Sequence, residues 1–248
     1  MVPVLAFPAL AGMAYPALEQ PPLMRVVPDP AGIASLTDAD RVAVRVLMTS
    51  ASRGCSVQMI ENLPNLGFVV SQGAGLDKID LPALKARSIR FRNIGETQTE
   101  DVADLAMALT QMLCRRLIEA DVFARSGACE TTRFDLGDSL YGMTIGIAGL
   151  SGRIGQAIAA RARVSGMQIA GLNRASNAGL GSLHEGWLAL AAASDVLVMA
   201  VPGTDDLTRV IDAQVLAALG PKGRLVNVGR GSLVDTDALI TALETGAI

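Results

Sequence analysis

A glycine-rich stretch that could hold a phosphate lies at residues 146–155 (GIAGLSGRIG). It follows an apolar run typical of a buried strand and precedes a segment with helical periodicity. Glycines at such a turn let the backbone approach a pyrophosphate closely, and the N–H groups at a helix start favour an anion. The stretch therefore predicts dinucleotide binding at the turn from Gly149 to Gly155, against the alternative of an ordinary tight strand–helix turn.

The glycines of this turn are not spaced as in the usual fingerprint. Gly149 to Gly155 spans one residue more than G-x-G-x-x-G allows. Either Ser151 is an insertion in the turn, or Gly152 serves as the middle glycine with a looser entry. The sequence leaves both alternatives open.

The next strand after the turn, at 168–172, is followed by Asn173-Arg174, where an acidic residue would normally bind the ribose 2′-hydroxyl of NAD. A carboxylate would repel a 2′-phosphate, whereas Arg174 can pair with one through charge-assisted hydrogen bonds. These two residues therefore favour NADP over NAD as the cofactor. The alternative is that Arg174 is a solvated loop charge.

Several stretches together resemble the D-isomer-specific 2-hydroxyacid dehydrogenases, in particular the glyoxylate/hydroxypyruvate reductases. They are residues 73–80 (GAGLDKID), 99–104 (TEDVAD), 152–158 (GRIGQAI), 194–197 (SDVL) leading to Val201-Pro202, and 227–235 (NVGRGSLVD). The last stretch is the most specific of the set.

The resemblance implies an α/β enzyme of two lobes. Residues 1–98 would form a flavodoxin-like substrate lobe that a returning C-terminal segment completes. Residues 99–248 would form a Rossmann cofactor lobe that binds NADP, or NAD, and lacks its last strand. A small 2-oxo or 2-hydroxy acid would lie between the lobes, and a homodimer would form through the helix near residues 100–120.

The resemblance also carries roles to individual residues. Ala74 and Gly75 would offer backbone N–H groups to the substrate carboxylate, and Arg230 would be the catalytic arginine and would bind the substrate. The remaining residues would bind the cofactor: Gly149, Ser151, Gly152, Arg153, Ile154, Gly155, Asn173, Arg174, Val201, Pro202, Thr208, Val228 and Gly229. No metal is expected.

Arg230 also has a physical case beside the resemblance. Hydride attack on a 2-oxo acid develops negative charge on an oxygen next to a carboxylate, and a permanently charged, forked guanidinium can stabilise both groups. Arg230 lies just past the carboxyl end of a predicted strand, at the edge where open α/β sheets bind ligands. The alternative is an ion pair with Asp235 or Asp237 that fixes the loop.

A proton donor for the developing alkoxide is expected to be a histidine tuned by an acid, and the resemblance places both after Arg230. The only histidine, His184, lies instead before a predicted inner helix, where it is expected to be a surface or cap residue. We therefore expect a truncated chain with impaired activity. The alternative is a catalytically inactive NAD(P)-binding or interaction protein.

The elements that must position these residues follow the βαβ rhythm of a mainly parallel sheet. In the first lobe the pattern predicts strands at 44–49, 66–71 and 90–93 and a helix at 81–87 that begins at Asp80. A single helix is predicted over 100–120, with Thr97 and Glu100 as a capping box. In the second lobe it predicts strands at 144–148, 168–172, 196–200 and 224–228 and helices at 155–165, 187–193, 213–219 and 236–245.

Composition restricts the class of protein further. Half of the 248 residues are hydrophobic, and the net charge of −3 is made of interspersed signs, so nucleic acid is not an expected partner. No stretch approaches the ~20 apolar residues of a membrane span. Three dispersed cysteines, and an apolar but proline-interrupted N-terminus without basic residues, favour a cytoplasmic protein over a secreted one.

Overall fold

The computed structural model describes residues 3–7, 24–95 and 97–248. The chain divides into two compact units, Met1–Gln98 and Thr99–Ile248. Most of the apolar N-terminal segment that bears on secretion lies outside the described residues. Within them, no helix is both long and apolar enough to cross a membrane.

The first unit is a parallel sheet with strand order β2-β1-β3-β4-β5, which is the flavodoxin-like doubly wound order. Its elements are β1 (Val4–Ala6), β2 (Met24–Val26), α1 (Asp38–Ala43), β3 (Val46–Thr49), α2 (Val57–Glu61), β4 (Phe68–Ser71), α3 (Leu81–Ala86) and β5 (Arg90–Asn93). Leu5, Leu47 and Val69, from three adjacent strands, are fully buried in its core. As predicted, Asp80 begins α3, because its carboxylate accepts a hydrogen bond from the Ala83 N–H at 2.8 Å.

The second unit is a parallel sheet with strand order β10-β9-β6-β7-β8. Its elements are α4 (Thr99–Cys114), α5 (Leu117–Arg125), β6 (Thr144–Ala148), α6 (Arg153–Val164), β7 (Gln168–Leu172), β8 (Ser182–His184), α7 (Gly186–Ala192), β9 (Val196–Met199), α8 (Ala213–Leu219), β10 (Arg224–Asn227) and α9 (Thr236–Thr245). Counted from β6, this is the order of the first five strands of a Rossmann sheet. The predicted α/β class is confirmed.

Helices cover both faces of the second sheet. One apolar cluster joins α4 and α6 to side chains such as Ile145 and Ile147, and a second joins α7, α8 and α9 to Leu197 and Met199 on the opposite face. Burial on both faces explains why these strands read as continuous apolar runs rather than as alternating ones. Because the strands of this sheet are parallel, their carboxyl ends all meet at one edge of the sheet.

An arginine ties α6 to α4. The Arg161 guanidinium donates to the carboxylates of Asp104 at 2.7 Å and Glu100 at 2.8 Å. These hydrogen bonds favour the charged form and raise the pKa of Arg161 above its usual value. The start of α4 is thereby held against α6.

The single helix predicted over residues 100–120 is wrong, because α4 ends at Cys114 and α5 begins at Leu117. Arg116 between them adopts a left-handed conformation with φ of 52°. The Cys114 carbonyl accepts from the Asp138 N–H at 2.8 Å, and the Arg116 guanidinium lies 5.1 Å from the Phe134 ring centroid. Contacts with residues 134–138 therefore end α4. The predicted capping box also differs, since the Thr97 hydroxyl donates to the Ile94 carbonyl.

The three cysteines are separate thiols. Cys55 and Cys114 are buried and Cys129 is exposed. Burial raises the pKa of the Cys55 thiol to about 11 and also raises that of Cys114, so both are held protonated at neutral pH. Among the described residues, no cluster of three or more histidine, cysteine or acidic side chains could hold a metal ion.

Candidate cofactor and substrate site

The turn between β6 and α6 is built on two glycines that cannot carry a side chain. Gly149 has a φ of +88°, and a Cβ atom there would lie 2.6 Å from the Ala200 carbonyl oxygen. A Cβ atom on Gly155 would lie 2.1 Å from the Gly149 carbonyl oxygen. Gly152, in contrast, caps α6 with an extended backbone, φ −71° and ψ 159°. Gly149 and Gly155 therefore have the first and third roles of the fingerprint.

Ser151, one of the two residues that could account for the extra length of the turn, contacts the segment that follows β7. Its N–H donates to the Oδ1 atom of Asn177 at 3.0 Å, and its hydroxyl lies 3.1 Å from the Ser176 hydroxyl. Asn177 is buried and also donates to the Leu172 carbonyl at the end of β7. Ser151 fits into the turn because the Asn177 side chain accepts a hydrogen bond from the Ser151 N–H.

The start of α6 faces the carboxyl edge of the sheet. The N–H groups in the first turn of a helix have no partner within the helix, so they and the positive end of the helix dipole attract an anion. Arg153 is exposed at the first position of α6, and Ile154 packs beside the core of α4 and α6. This arrangement can hold a pyrophosphate.

The end of β7 places polar groups next to that turn. Asn173 and Arg174 are both exposed and directly follow the strand. The Asn173 N–H donates to the His184 carbonyl at 2.8 Å, and its side-chain amide donates to the Glu185 carboxylate. An acid therefore stands beside Asn173, although the sequence has none at the end of β7 itself.

The loops after β9 and β10 lie against the glycine turn and against each other. A Cβ atom on Gly149 would lie 3.2 Å from the Val201 side chain. A Cβ atom on Gly229 would lie 2.7 Å from the Val201 carbonyl oxygen. Val228 donates its N–H to Met199 at 3.1 Å, and Pro202 is exposed beside Val201. The structure therefore brings Val201 and Gly229, both predicted to bind the cofactor, close to each other, and Val201 close to Gly149.

Arg230 lies in the same loop cluster and is partly buried. Its aliphatic stem packs on the backbone of Gly203, where a Cβ atom would lie 2.6 Å from the Arg230 Cγ. Asn227 fixes the loop, because its amide donates to the Arg230 carbonyl at 2.8 Å and accepts from the Gly229 N–H at 3.0 Å. The Arg230 guanidinium donates to the Gly229 carbonyl at 3.0 Å, so it lies in the loop that follows β10.

Asp235, which sequence analysis considered as an ion-pair partner of Arg230, has other contacts. Its Oδ1 atom accepts from the N–H groups of Asp237 and Ala238 at the start of α9. Its Oδ2 atom lies 3.6 Å from Arg209. The carboxylate therefore caps a helix and pairs with a different arginine.

Thr208 is placed less directly than the other assigned residues. It is exposed after a short 3-10 helix, Asp205–Leu207. The next residue, Arg209, donates its N–H to the Ser232 carbonyl at 2.7 Å. Thr208 therefore adjoins the loop that carries Arg230, and no hydrogen bond among the described residues links it to the glycine turn.

In the first unit, Ala74 and Gly75 follow the carboxyl end of β4. Asn93, at the end of the neighbouring strand β5, donates its amide to the Ala74 carbonyl at 3.1 Å. The N–H groups of Ala74 and Gly75 form no hydrogen bond with any described residue. Two unpaired N–H groups in one loop can bind a carboxylate.

Three residues of this region had been missed as functional positions: Asn177, Glu185 and Asn227. Asn227 carried the clearest signal, since an asparagine at a strand end can accept a hydrogen bond from the backbone two residues on. Asn177 and Glu185 act on residues 26 and 12 positions away in the chain. Spacing alone gives no signal for such contacts.

Comparison with known proteins places these features in a family context. Residues 107–248 match the sequence profile of the D-isomer specific 2-hydroxyacid dehydrogenase, NAD binding domain. A glyoxylate/hydroxypyruvate reductase A of Arabidopsis thaliana is 42% identical over 86% of this chain and 68% of the relative. A hydroxyphenylpyruvate reductase of Plectranthus scutellarioides is 38% identical over 83% of this chain and 66% of the relative. The chain thus spans about two thirds of these relatives.

A solved structure has the same fold along the whole chain. It is an NADPH-dependent glyoxylate/hydroxypyruvate reductase of Sinorhizobium meliloti in complex with NADP and malonate, 37% identical, with a TM-score of 0.86. The superposition covers 100% of this chain and 77% of that protein.

Proposed function

The chain belongs to the D-isomer specific 2-hydroxyacid dehydrogenase family, and we propose that it transfers a hydride between NADPH or NADH and a small 2-oxo acid. The match of residues 107–248 to an NAD-binding domain confirms the predicted NAD(P) cofactor class. The observation that carries the proposal is the turn from Gly149 to Gly155, which joins β6 to the start of α6 at the carboxyl edge of a parallel sheet.

A bound nicotinamide would supply the hydride, and Arg230 would act on the substrate. Its guanidinium can donate to the substrate carboxylate and to the oxygen that becomes negative as the hydride adds to the adjacent carbon. Asn227 would hold the Arg230 backbone in place for this role. The N–H groups of Ala74 and Gly75 are proposed to bind a carboxylate, because they form no hydrogen bond with any other described residue.

His184 is not proposed as the proton donor. It lies on β8, where its Nε2 atom is 3.2 Å from the Ser182 hydroxyl. Arg230 lies after β10, at the opposite side of the sheet order. The alternative function is a protein that binds NAD(P) without turning over a 2-oxo acid.

One experiment separates the two functions. The chain is titrated with NADPH by cofactor fluorescence, and glyoxylate or hydroxypyruvate is then added in excess while the absorbance of the reduced nicotinamide is followed. Saturable binding with acid-dependent oxidation supports the hydride-transfer function. Saturable binding without oxidation supports the binding function, and no binding contradicts both.

NADPH is the proposed preferred cofactor, because Arg174 is exposed next to the strand end that meets the adenosine ribose. Replacing Arg174 with glutamine is expected to weaken NADPH binding about 30-fold, since a charge-assisted contact with the 2′-phosphate is lost. The affinity for NADH should change little. Fluorescence titration of both nucleotides, with the exposed Arg92→Gln variant as control, measures this; equal losses for NADPH and NADH would contradict the role.

A homodimer through the helices near residues 100–120 is also proposed. Apolar side chains remain exposed along α4 and α5, including Leu105 at 53%, Ile118 at 64% and Val122 at 63%. Beside them, residues of α4, α5 and β10 line an open pocket of about 320 Å³. Exposed apolar surface of this kind is typical of a contact between subunits.

The dimer proposal predicts that Val122→Asp yields a monomer at concentrations where the parent is a dimer. A buried carboxylate at the contact should raise the dimer dissociation constant about 100-fold. Sedimentation velocity measures the change, and Val42→Asp on α1, where the apolar side chain is 48% exposed, is the matched control. An unchanged dimer in the Val122 variant, or the same dissociation in both variants, would place the contact elsewhere.

A further inference from the structure

An acidic residue that follows the neighbouring strand β8 lies beside the end of β7. Asn173 follows β7 and Glu185 follows β8. Because the Asn173 N–H donates to the His184 carbonyl at 2.8 Å, these two strand ends are adjacent. The Asn173 side-chain amide then donates to the Oε1 atom of Glu185. A carboxylate is therefore held within a hydrogen bond of the position where a Rossmann sheet usually has its ribose-binding acid.

The helix that Glu185 precedes does not explain this arrangement. Glu185 is the N-cap residue of α7, but its side chain makes no capping hydrogen bond. Glutamate is not among the residue types favoured at N-caps, whereas serine, threonine, aspartate and asparagine are. The Glu185 carboxylate contacts Asn173 instead, at the carboxyl edge of the sheet.

Two opposite charges consequently flank the end of β7. The Arg174 side chain is exposed, and so is that of Glu185. Within the described part of the chain, neither side chain forms an ion pair, since the one side-chain contact of Glu185 is with the Asn173 amide. The nearby His184 ring is hydrogen-bonded to the Ser182 hydroxyl. Neither charge at the strand end is neutralised by a fixed partner.

We propose that Glu185 determines cofactor selectivity by opposing Arg174, so that this site accepts NADH as well as NADPH. The assignment rests on the proposed NAD(P)-dependent function. The Glu185 carboxylate can accept a hydrogen bond from a ribose 2′-hydroxyl, which NADH has and NADPH lacks. The same carboxylate repels a 2′-phosphate of charge −1.5 to −2, about the value of a phosphate monoester at neutral pH. The acid that β7 lacks is thereby supplied from β8.

The size of the effect follows from the exposure of both groups. A carboxylate and a phosphate a few ångströms apart in a solvated site repel each other enough to change affinity about tenfold. Salt screens such a pair over a Debye length of about 10 Å at 0.1 M ionic strength. The repulsion should therefore decrease as salt concentration rises.

The test compares Glu185→Gln with the parent chain. Glutamine keeps the length of the side chain and an oxygen that can accept from Asn173, while it removes the charge. The dissociation constants of NADPH and NADH are measured by fluorescence titration at low and high salt. We expect NADPH to bind the variant about tenfold more tightly at low salt and NADH to bind equally or more weakly. Glu244→Gln, at an exposed acid on α9, controls for net charge.

The possible outcomes are distinguishable. NADPH affinity that stays the same in Glu185→Gln, or rises equally in Glu244→Gln, overturns the assignment of Glu185 and leaves the proposed function intact. A parent chain that binds neither nucleotide overturns the proposed function and the assignment together. A selective gain for NADPH in Glu185→Gln that shrinks at high salt supports the assignment.

Discussion

Replacing Gly155 with alanine is expected to weaken NADPH binding about 100-fold, because the added methyl group has no space in the turn. Its Cβ atom would lie 2.1 Å from the Gly149 carbonyl oxygen and 2.9 Å from the Leu150 Cα atom. Both neighbours are backbone atoms, so relief requires a shift of the turn itself. Such a shift moves the N–H groups at the start of α6 away from the pyrophosphate that they would bind. Fluorescence titration measures the affinity.

Gly152→Ala is the matched control for this prediction. Gly152 already has an extended backbone that alanine can adopt, and its Cβ atom would meet only the Gly149 carbonyl oxygen, at 3.1 Å. This variant should lose less affinity for NADPH than Gly155→Ala, about tenfold at most, because the turn itself need not shift even where the methyl group crowds the pyrophosphate. The glycine motif alone predicts similar losses for both variants. Comparable losses would therefore show that the geometry of the turn has been misassigned, and thermal unfolding without cofactor separates loss of binding from loss of fold.

The fold class and the principal site loops were predictable because their signals are local. The strand at 144–148, the glycine turn and the start of α3 at Asp80 each depend on neighbouring residues in the chain. The loop at 227–235 was similarly identifiable from a contiguous motif. In all of these, burial or backbone geometry is set by residues a few positions apart, and the structure agrees with the prediction.

The features that sequence analysis missed depend on distant contacts. Apolar spacing runs through Arg115 and Arg116 without a helix breaker, yet α4 ends there. A Cβ atom on Gly137 would lie 2.6 Å from the Arg115 Cα atom, so the segment after α5 packs directly on the break. The contact of Glu185 with Asn173 depends in the same way on the pairing of β7 with β8, and β8 had not been predicted.

Replacing Arg230 with glutamine is expected to lower kcat/KM for 2-oxo acid reduction about 1,000-fold, in line with the loss of a charged donor to a developing oxyanion. The affinity for NADPH should remain close to that of the parent, because the glycine turn and the end of β7 are unchanged. The kcat/KM of Arg230→Lys should lie between those of the parent and of Arg230→Gln, since lysine keeps the charge but loses the forked geometry. Steady-state kinetics measures the first effect and fluorescence titration the second.

Binding of oxalate to the NADPH complex gives a second readout of Arg230 that does not require turnover, since oxalate resembles a 2-oxo acid but cannot accept a hydride. We expect Arg230→Gln to weaken oxalate binding about tenfold or more. Arg209→Gln is the control, because Arg209 is exposed in the adjoining loop and pairs with Asp235. If Arg230 only fixed its loop, its replacement would lower the melting temperature and the affinity for NADPH together. A selective loss of oxalate binding, absent from Arg209→Gln, distinguishes a guanidinium that contacts the substrate from one that holds the loop.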